Sequence, residues 1–84
     1  MKHITLDGNI LADCVQMHDY LKETLGFPEY YGKNLDALYD CLTDLEDIEI
    51  TINAPSEDGA IYQKVVRIFK AADRTNESLK LNIE

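Results

Sequence analysis

Two aspartates spaced four residues apart, Asp36 and Asp40, are the residues of this sequence best placed to do chemistry. That spacing puts both side chains on one helix face, where two like charges oppose each other by about 0.2–0.5 kcal/mol. Asp36 has a compensation, because a carboxylate in a first helical turn interacts favourably with the helix dipole. Asp40 lies beyond that turn and has none. A carboxylate pair can hold a divalent cation, act as acid and base, or offer fixed acceptor oxygens to the Arg, Lys or His side chains of a partner. The first two uses need convergent residues from several elements, and His3 and His18 are the only histidines. These read as a strand-surface and a core-edge residue. No nucleophile–base pair and no metal-ligand set can be assembled, so an enzyme is disfavoured and neither cofactor nor metal is expected. Tyr30, Tyr31 and Tyr39 lie close in sequence to the aspartates and are of a type enriched at interface hot spots. Residue types alone leave a second reading open, in which the aspartates are a solvated face and the tyrosines cover the edge of the core.

Charge narrows the partner class. Sixteen Asp and Glu against eight Lys and Arg give −8 at neutral pH. Such a field repels phosphate backbones, which disfavours direct binding of nucleic acid, and attracts a basic protein. Solubility alone would also account for the total. Cys14 and Cys41 fall on or beside apolar positions of expected helices, in no zinc-ligand spacing, and are expected to be buried free thiols. No apolar run of signal-peptide type is found, and none approaches the roughly 20 residues that span a bilayer. The expected location is the cytoplasm.

The elements that must position the aspartates follow from hydrophobic period. Lys2 to Leu6 alternate as a strand and Asp7-Gly8-Asn9 break it in a turn. Asp13 with Gln16 forms a capping-box pattern ahead of a helix whose stripe is Cys14, Met17, Leu21 and Leu25, stopped by Gly26 and Pro28. Residues 29–33 are an aromatic loop. Asn34 caps a second helix along Leu35, Leu38 and Leu42. Residues 48–52 alternate as a strand, and residues 53–56 end it. A third helix is expected from about Glu57 to Asp73, burying Ile61, Tyr62, Val65, Ile68, Phe69 and Ala72. Residues 79–83 form the last strand. Helices between strands permit right-handed crossovers, giving a three-stranded parallel sheet. Because the strands alternate rather than run apolar, one face should be solvated and about three helices packed on the other. The expectation is one two-layer α/β domain over residues 1–84.

The run from Pro28 to Thr43, of the form PEYYG-x-NLDALxDCLT, resembles the central segment of the barstar family, intracellular inhibitors of barnase-like ribonucleases. Weaker similarity extends through His18, Leu21-Lys22 and Phe69-Lys70, covering most of the chain in element order. The resemblance implies that the second helix and the loop before it plug the active-site cleft of a basic ribonuclease. Asp40 would sit where the scissile phosphate does, with Asp36 as a second anionic contact. Tyr30 would pack at the interface, while Tyr31, Gly32 and Asn34 shape the loop and helix start. Thr43, Asp44, Leu45 and Glu46 would complete the partner-binding set together with Tyr39. There are departures. Tyr39 stands for a tryptophan and Leu45 for an aromatic, while Ala71 stands for a glutamate whose role would fall to Asp73 or Glu77 or to none. The family's short helix before the last long one is missing, as is the family's second cysteine, which Cys14 does not replace. The implied function is a proteinaceous inhibitor acting 1:1 on a barnase-like ribonuclease, of toxin–antitoxin or immunity type. The alternative is a binding or immunity protein for another basic protein, such as a secreted toxin's nuclease domain.

Overall fold

Period-two alternation builds one sheet. In the computed structural model, which describes residues 1–57 and 59–84, the strands are β1 (Lys2–Asp7), β2 (Ile48–Asn53) and β3 (Leu79–Ile83). They lie in the order β1-β2-β3 and pair in parallel, with His3 opposite Glu49 and Glu49 opposite Lys80. Both crossovers step the same way across the sheet, so right-handed connections place the intervening helices on one face. Leu6, Ile48, Ile50, Ile52 and Leu79 are buried on that side. The other face carries His3, Thr5, Glu49, Thr51, Lys80 and Asn82. There the Glu49 carboxylate accepts from Asn82 Nδ2 at 2.6 Å and lies 2.8 Å from His3 Nδ1 and 3.7 Å from Lys80 Nζ. The Asn82 hydrogen bond, then Lys80 and His3, hold its carboxyl below the ordinary carboxylate range against the opposing effect of burial.

Among the described residues four helices cover the inner face: α1 (Gly8–Leu11), α2 (Met17–Leu25), α3 (Leu35–Thr43) and α4 (Ala60–Thr75). One of them, α1, was expected to be a turn. Asp7 caps it by accepting from Asn9 N at 2.9 Å. This is the same residue chemistry that favours a turn, so four residues without periodicity could not distinguish the two. Gly8 is obligatory there, since a Cβ would lie 2.1 Å from Asn53 O and 2.8 Å from Pro55 N. Asn9 Oδ1 accepts from Ser56 N at 2.8 Å, fastening α1 to the exit from β2.

The first expected helix starts later than Asp13. Asp13 Oδ1 does accept from Val15 N and Gln16 N, but these bonds close a turn, and α2 begins at Met17. Cys14 therefore sits on that turn and is exposed, contrary to the expected burial, and Val15 is 79% exposed. Cys41 is partly buried. At the other end Gly26, at φ +72°, gives α2 its left-handed cap, where a side chain would be strained. In α4 the helix begins at Ala60 rather than near Glu57, and Asp58, inside the expected range, lies outside the described residues. Ile61, expected to be buried, is 37% exposed in the first turn. Tyr62, Val65, Val66, Phe69 and Ala72 form its buried face. Among the described residues, no helix lies between Asn53 and α4.

One hydrophobic core results. Leu11, Leu21, Leu38, Leu42, Ile50, Ile52, Val65 and Phe69 are almost fully enclosed between the helices and the sheet. Truncating any one of these leucines to alanine would cost about 2–5 kcal/mol. Tyr20 ties α2 to the sheet, its hydroxyl accepting from Asp7 N at 3.0 Å.

Candidate functional site

Leu38 and Leu42 fix the rotation of α3, and that rotation decides which side chains face solvent. Both leucines are buried against the core, so Asp36, Asp40 and Asp44 emerge together on the opposite, exposed side. Asp44 is the helix's C-terminal cap residue and extends the pair into a row of three at four-residue spacing. Asp36 in the first turn suits the helix dipole, whereas Asp40 and Asp44 crowd the partially negative end, where no basic residue of the last turn offsets them. Among the described residues none of the three is in an ion pair. Their field reaches inward: burial first, then Asp44 and Asp40, push the Cys41 thiol up, so Cys41 stays protonated.

Asn34 starts this helix by two bonds. Its Oδ1 accepts from Ala37 N at 2.8 Å, and its carbonyl accepts from Leu38 N at 2.9 Å. Gly32 lies close beneath, since a Cβ there would meet Asn34 Nδ2 at 3.3 Å. Lys33 adopts φ 53°, a left-handed conformation that costs a non-glycine residue about 1–2 kcal/mol. Its ammonium is 2.7 Å from Asp19 Oδ1, which ties the loop to α2 and holds the Asp19 carboxyl below its ordinary range.

The two adjacent tyrosines part company. Tyr31 is 6% exposed and packs its ring on Phe27 at 4.9 Å between centroids, while Tyr30 is 84% exposed. The Tyr31 hydroxyl lies 2.6 Å from His18 Nδ1. The phenol donates when the imidazole proton is on Nε2 and accepts when it is on Nδ1. Burial, then the Cys41 sulfur, pushes the Tyr31 phenol up, keeping it protonated. Burial also lowers His18 below its ordinary value, with Lys33 in the same direction and Asp19 opposing. Tyr31 thus anchors the loop, and Tyr30 is presented to solvent.

The far end of α3 is held by residues the sequence reading had not singled out. Asn76 Nδ2 donates to Leu45 O at 2.7 Å and to Leu42 O at 3.0 Å, while Asn76 Oδ1 accepts from Ser78 N at 3.0 Å. Tyr39, partly buried, brings its hydroxyl within 3.0 Å of Thr75 Oγ1. Thr43 donates to Asp40 O at 2.8 Å, stiffening the last turn. Thr75 and Asn76 lie 31 to 36 residues away from the residues they fasten, beyond the reach of any local pattern.

Between loop and helix is a hollow of about 540 Å³ whose walls include Tyr30, Tyr31, Gly32, Asp40, Asp44 and Leu45. It is therefore aromatic on one side and anionic on the other, suited to a planar or cationic side chain. Asn34, Asp36, Tyr39, Thr43 and Glu46 lie outside it, and Glu46 is exposed in the loop after α3. Of the three residues in question for the last helix, Ala71 and Asp73 are partly buried and Glu77 is exposed. His3 pairs with Glu49 on the outer sheet face, away from this hollow. Among the described residues no group of three or more His, Cys, Asp or Glu side chains could hold a metal ion, and no helix is long and apolar enough to cross a membrane.

A comparison with curated proteins finds 48% identity over 52 residues with the Bacillus subtilis (strain 168) protein named "Putative ribonuclease inhibitor YrdF". The match covers 62% of this chain and 57% of that protein's length. The family model described as "Barstar (barnase inhibitor)" matches residues 1–84. With the parallel three-stranded sheet and its one-sided helical layer, that match places this chain in the barstar family.

Proposed function

We propose that this chain, acting as a single domain, inhibits a small basic barnase-like ribonuclease by inserting α3 and the loop before it into the enzyme's active-site cleft. The observation that carries the reading is the exposed, unpaired row Asp36–Asp40–Asp44 beside the exposed Tyr30. Asp40 occupies the position of the scissile phosphate, its oxygens accepting from cationic catalytic side chains without offering a bond to cleave. Asp36 is the second anionic contact. Tyr30 packs on the partner, and Asp44, Leu45 and Glu46 close the far edge. The complex is 1:1, is made in the cytoplasm and protects the cell that produces the nuclease. The chain performs no catalysis of its own.

The net charge of −8 contributes by steering a basic enzyme during encounter, so association should slow as salt rises. A variant Asp40→Ala should lose at least about thirtyfold in affinity, the low end of the range for truncating one partner of a desolvated charge pair, for which the barnase–barstar complex is a reference. Asp36→Ala should lose less. The measurement is inhibition of barnase and related small basic ribonucleases, titrated with each variant. Inhibition by Asp40→Ala equal to that of the parent would remove Asp40 from the site. The substitutions at Tyr39, Leu45 and Ala71 favour a second reading, in which the same face binds the nuclease domain of a different basic toxin. Binding to such a domain with no effect on barnase-like enzymes would select it.

A further inference from the structure

The solvent-facing side of α4 is basic. Lys64, Arg67, Lys70 and Arg74 are all exposed, at three- and four-residue spacings, and represent half of the eight Lys and Arg in the chain. Asp73, partly buried, is the sole acidic residue of that helix. Among the described residues none of the four is in an ion pair. A chain of charge −8 has acidic residues to spare for pairing them, yet leaves this row and the α3 row unpaired. The two rows lie on adjacent helices. The helices pack on each other, and the Tyr39–Thr75 hydroxyl contact is made by the residues immediately before Asp40 and after Arg74. At about 1.5 Å of rise per residue, Asp36 to Asp44 extends roughly 12 Å and Lys64 to Arg74 roughly 15 Å. An anionic row and a cationic row of similar length, carried on the outer faces of adjacent helices, are complementary to each other under a two-fold rotation.

We propose that the exposed faces of α3 and α4 form a self-complementary surface on which a second copy of this chain docks as a two-fold dimer, the aspartate row of each lying on the basic row of the other. The opposing term is the repulsion of two −8 chains. The molecule is 19 Å through its shortest axis, so the two centres are about two Debye lengths apart at 0.1 M salt, which damps that repulsion about sevenfold. Paired side chains in contact lie well within one Debye length and keep their attraction. In the dimer Asp40 is covered, so the dimer is a reserve form that a tighter-binding partner must dissociate. That consequence rests on the inhibitory reading; the dimer itself does not.

The test is a charge swap followed by sedimentation velocity at 0.1 M salt, with protein from about 20 μM to 1 mM. Asp36→Lys/Asp40→Lys changes the net charge from −8 to −4, and Arg67→Glu/Arg74→Glu changes it to −12. Each exposed pair changes an equilibrium by about two- to fivefold, and a reversal acts in both contacts, so each variant alone should dimerise at least about tenfold more weakly than the wild type. An equimolar mixture of the two should recover a heterodimer of near wild-type strength, because both contacts are again opposite in sign. The acidic-row variant separates the proposal from general repulsion. With its lower net charge it would associate more readily if repulsion alone governed, whereas docking requires it to associate less. A wild-type chain that stays monomeric at 1 mM overturns the proposal. So does a mixture no tighter than its components. Neither outcome depends on how the ribonuclease assay falls.

Discussion

Replacing Asn76 should cost more than an exposed residue at a helix end normally does. Its amide makes two donor bonds, to Leu45 O at 2.7 Å and to Leu42 O at 3.0 Å, a carbonyl that also accepts from Leu45 N, and one acceptor bond from Ser78 N. At about 1 kcal/mol net for each partly buried bond, Asn76→Ala should destabilise by about 2 kcal/mol, the exposed Ser78 bond adding little. For a domain of 84 residues this lowers Tm by about 8–16 °C. Asn76→Asp is the sharper test. It keeps the size and the acceptor but removes both donors, and it aims a carboxylate at two carbonyl oxygens beside the negative end of α3. At pH 7 it should therefore be less stable than Asn76→Ala, although the aspartate is closer in shape to the original. Urea denaturation followed by far-UV circular dichroism measures both. A cost below about 0.5 kcal/mol for alanine, or an aspartate variant as stable as the alanine one, would refute the assignment of Asn76 as the fastener of this helix end.

Two further perturbations follow from geometry described above. Gly8→Ala pushes a methyl to 2.1 Å from Asn53 O, so it should cost about 3 kcal/mol, the upper end of overpacking costs; a urea midpoint unchanged within error would mean that residues 53–55 withdraw freely. His18 is held below its ordinary pKa of about 6.5 chiefly by burial, so the unfolded chain takes up the proton first. The stability contributed by neutral His18 is present above pH 6.5 and is lost as pH falls through the folded value. Denaturant midpoints should drop between pH 7.5 and 5, and that drop should shrink in His18→Gln. An equal drop in both proteins would place its cause elsewhere, since the carboxyls held low, Asp19 and Glu49, titrate below this window.

Wherever one residue type has one local meaning, the sequence was sufficient. Ile48, Ile50 and Ile52 alternate with polar residues and are buried in alternation, and Leu38 and Leu42 set the face of α3, leaving Asp36 and Asp40 exposed. Ambiguity arose where one chemistry serves two structures. Asp7 and Asp13 each accept backbone N–H bonds, one opening a one-turn helix and the other closing a turn, so the first was misread and the second shifted the start of α2 by three residues and buried Cys14 on paper. The first turn of α4 shows a different limit. Ile61 fits the helical period, but period alone does not reveal that little packs over it there. Neither Asn76 nor the basic row of α4 announced itself as part of the site, because what matters is which helix lies next to α3. That is a property of the fold rather than of any local segment.

Tyr30 and Tyr31 divide their work so completely that they bear on how this surface can change over generations. The ring that holds the loop is inside, bonded to His18 and packed at a tilt on Phe27, and the other ring is exposed to solvent. Asp36, Asp40 and Asp44 show the same separation from Leu38 and Leu42 one residue type over. Substitutions at the outward positions leave the packing untouched, and exposed changes of this kind are usually within about 0.5 kcal/mol of neutral. Under the inhibitory reading proposed above, lineages can therefore retarget the face by small steps, each still folded, without first rebuilding the scaffold that carries it.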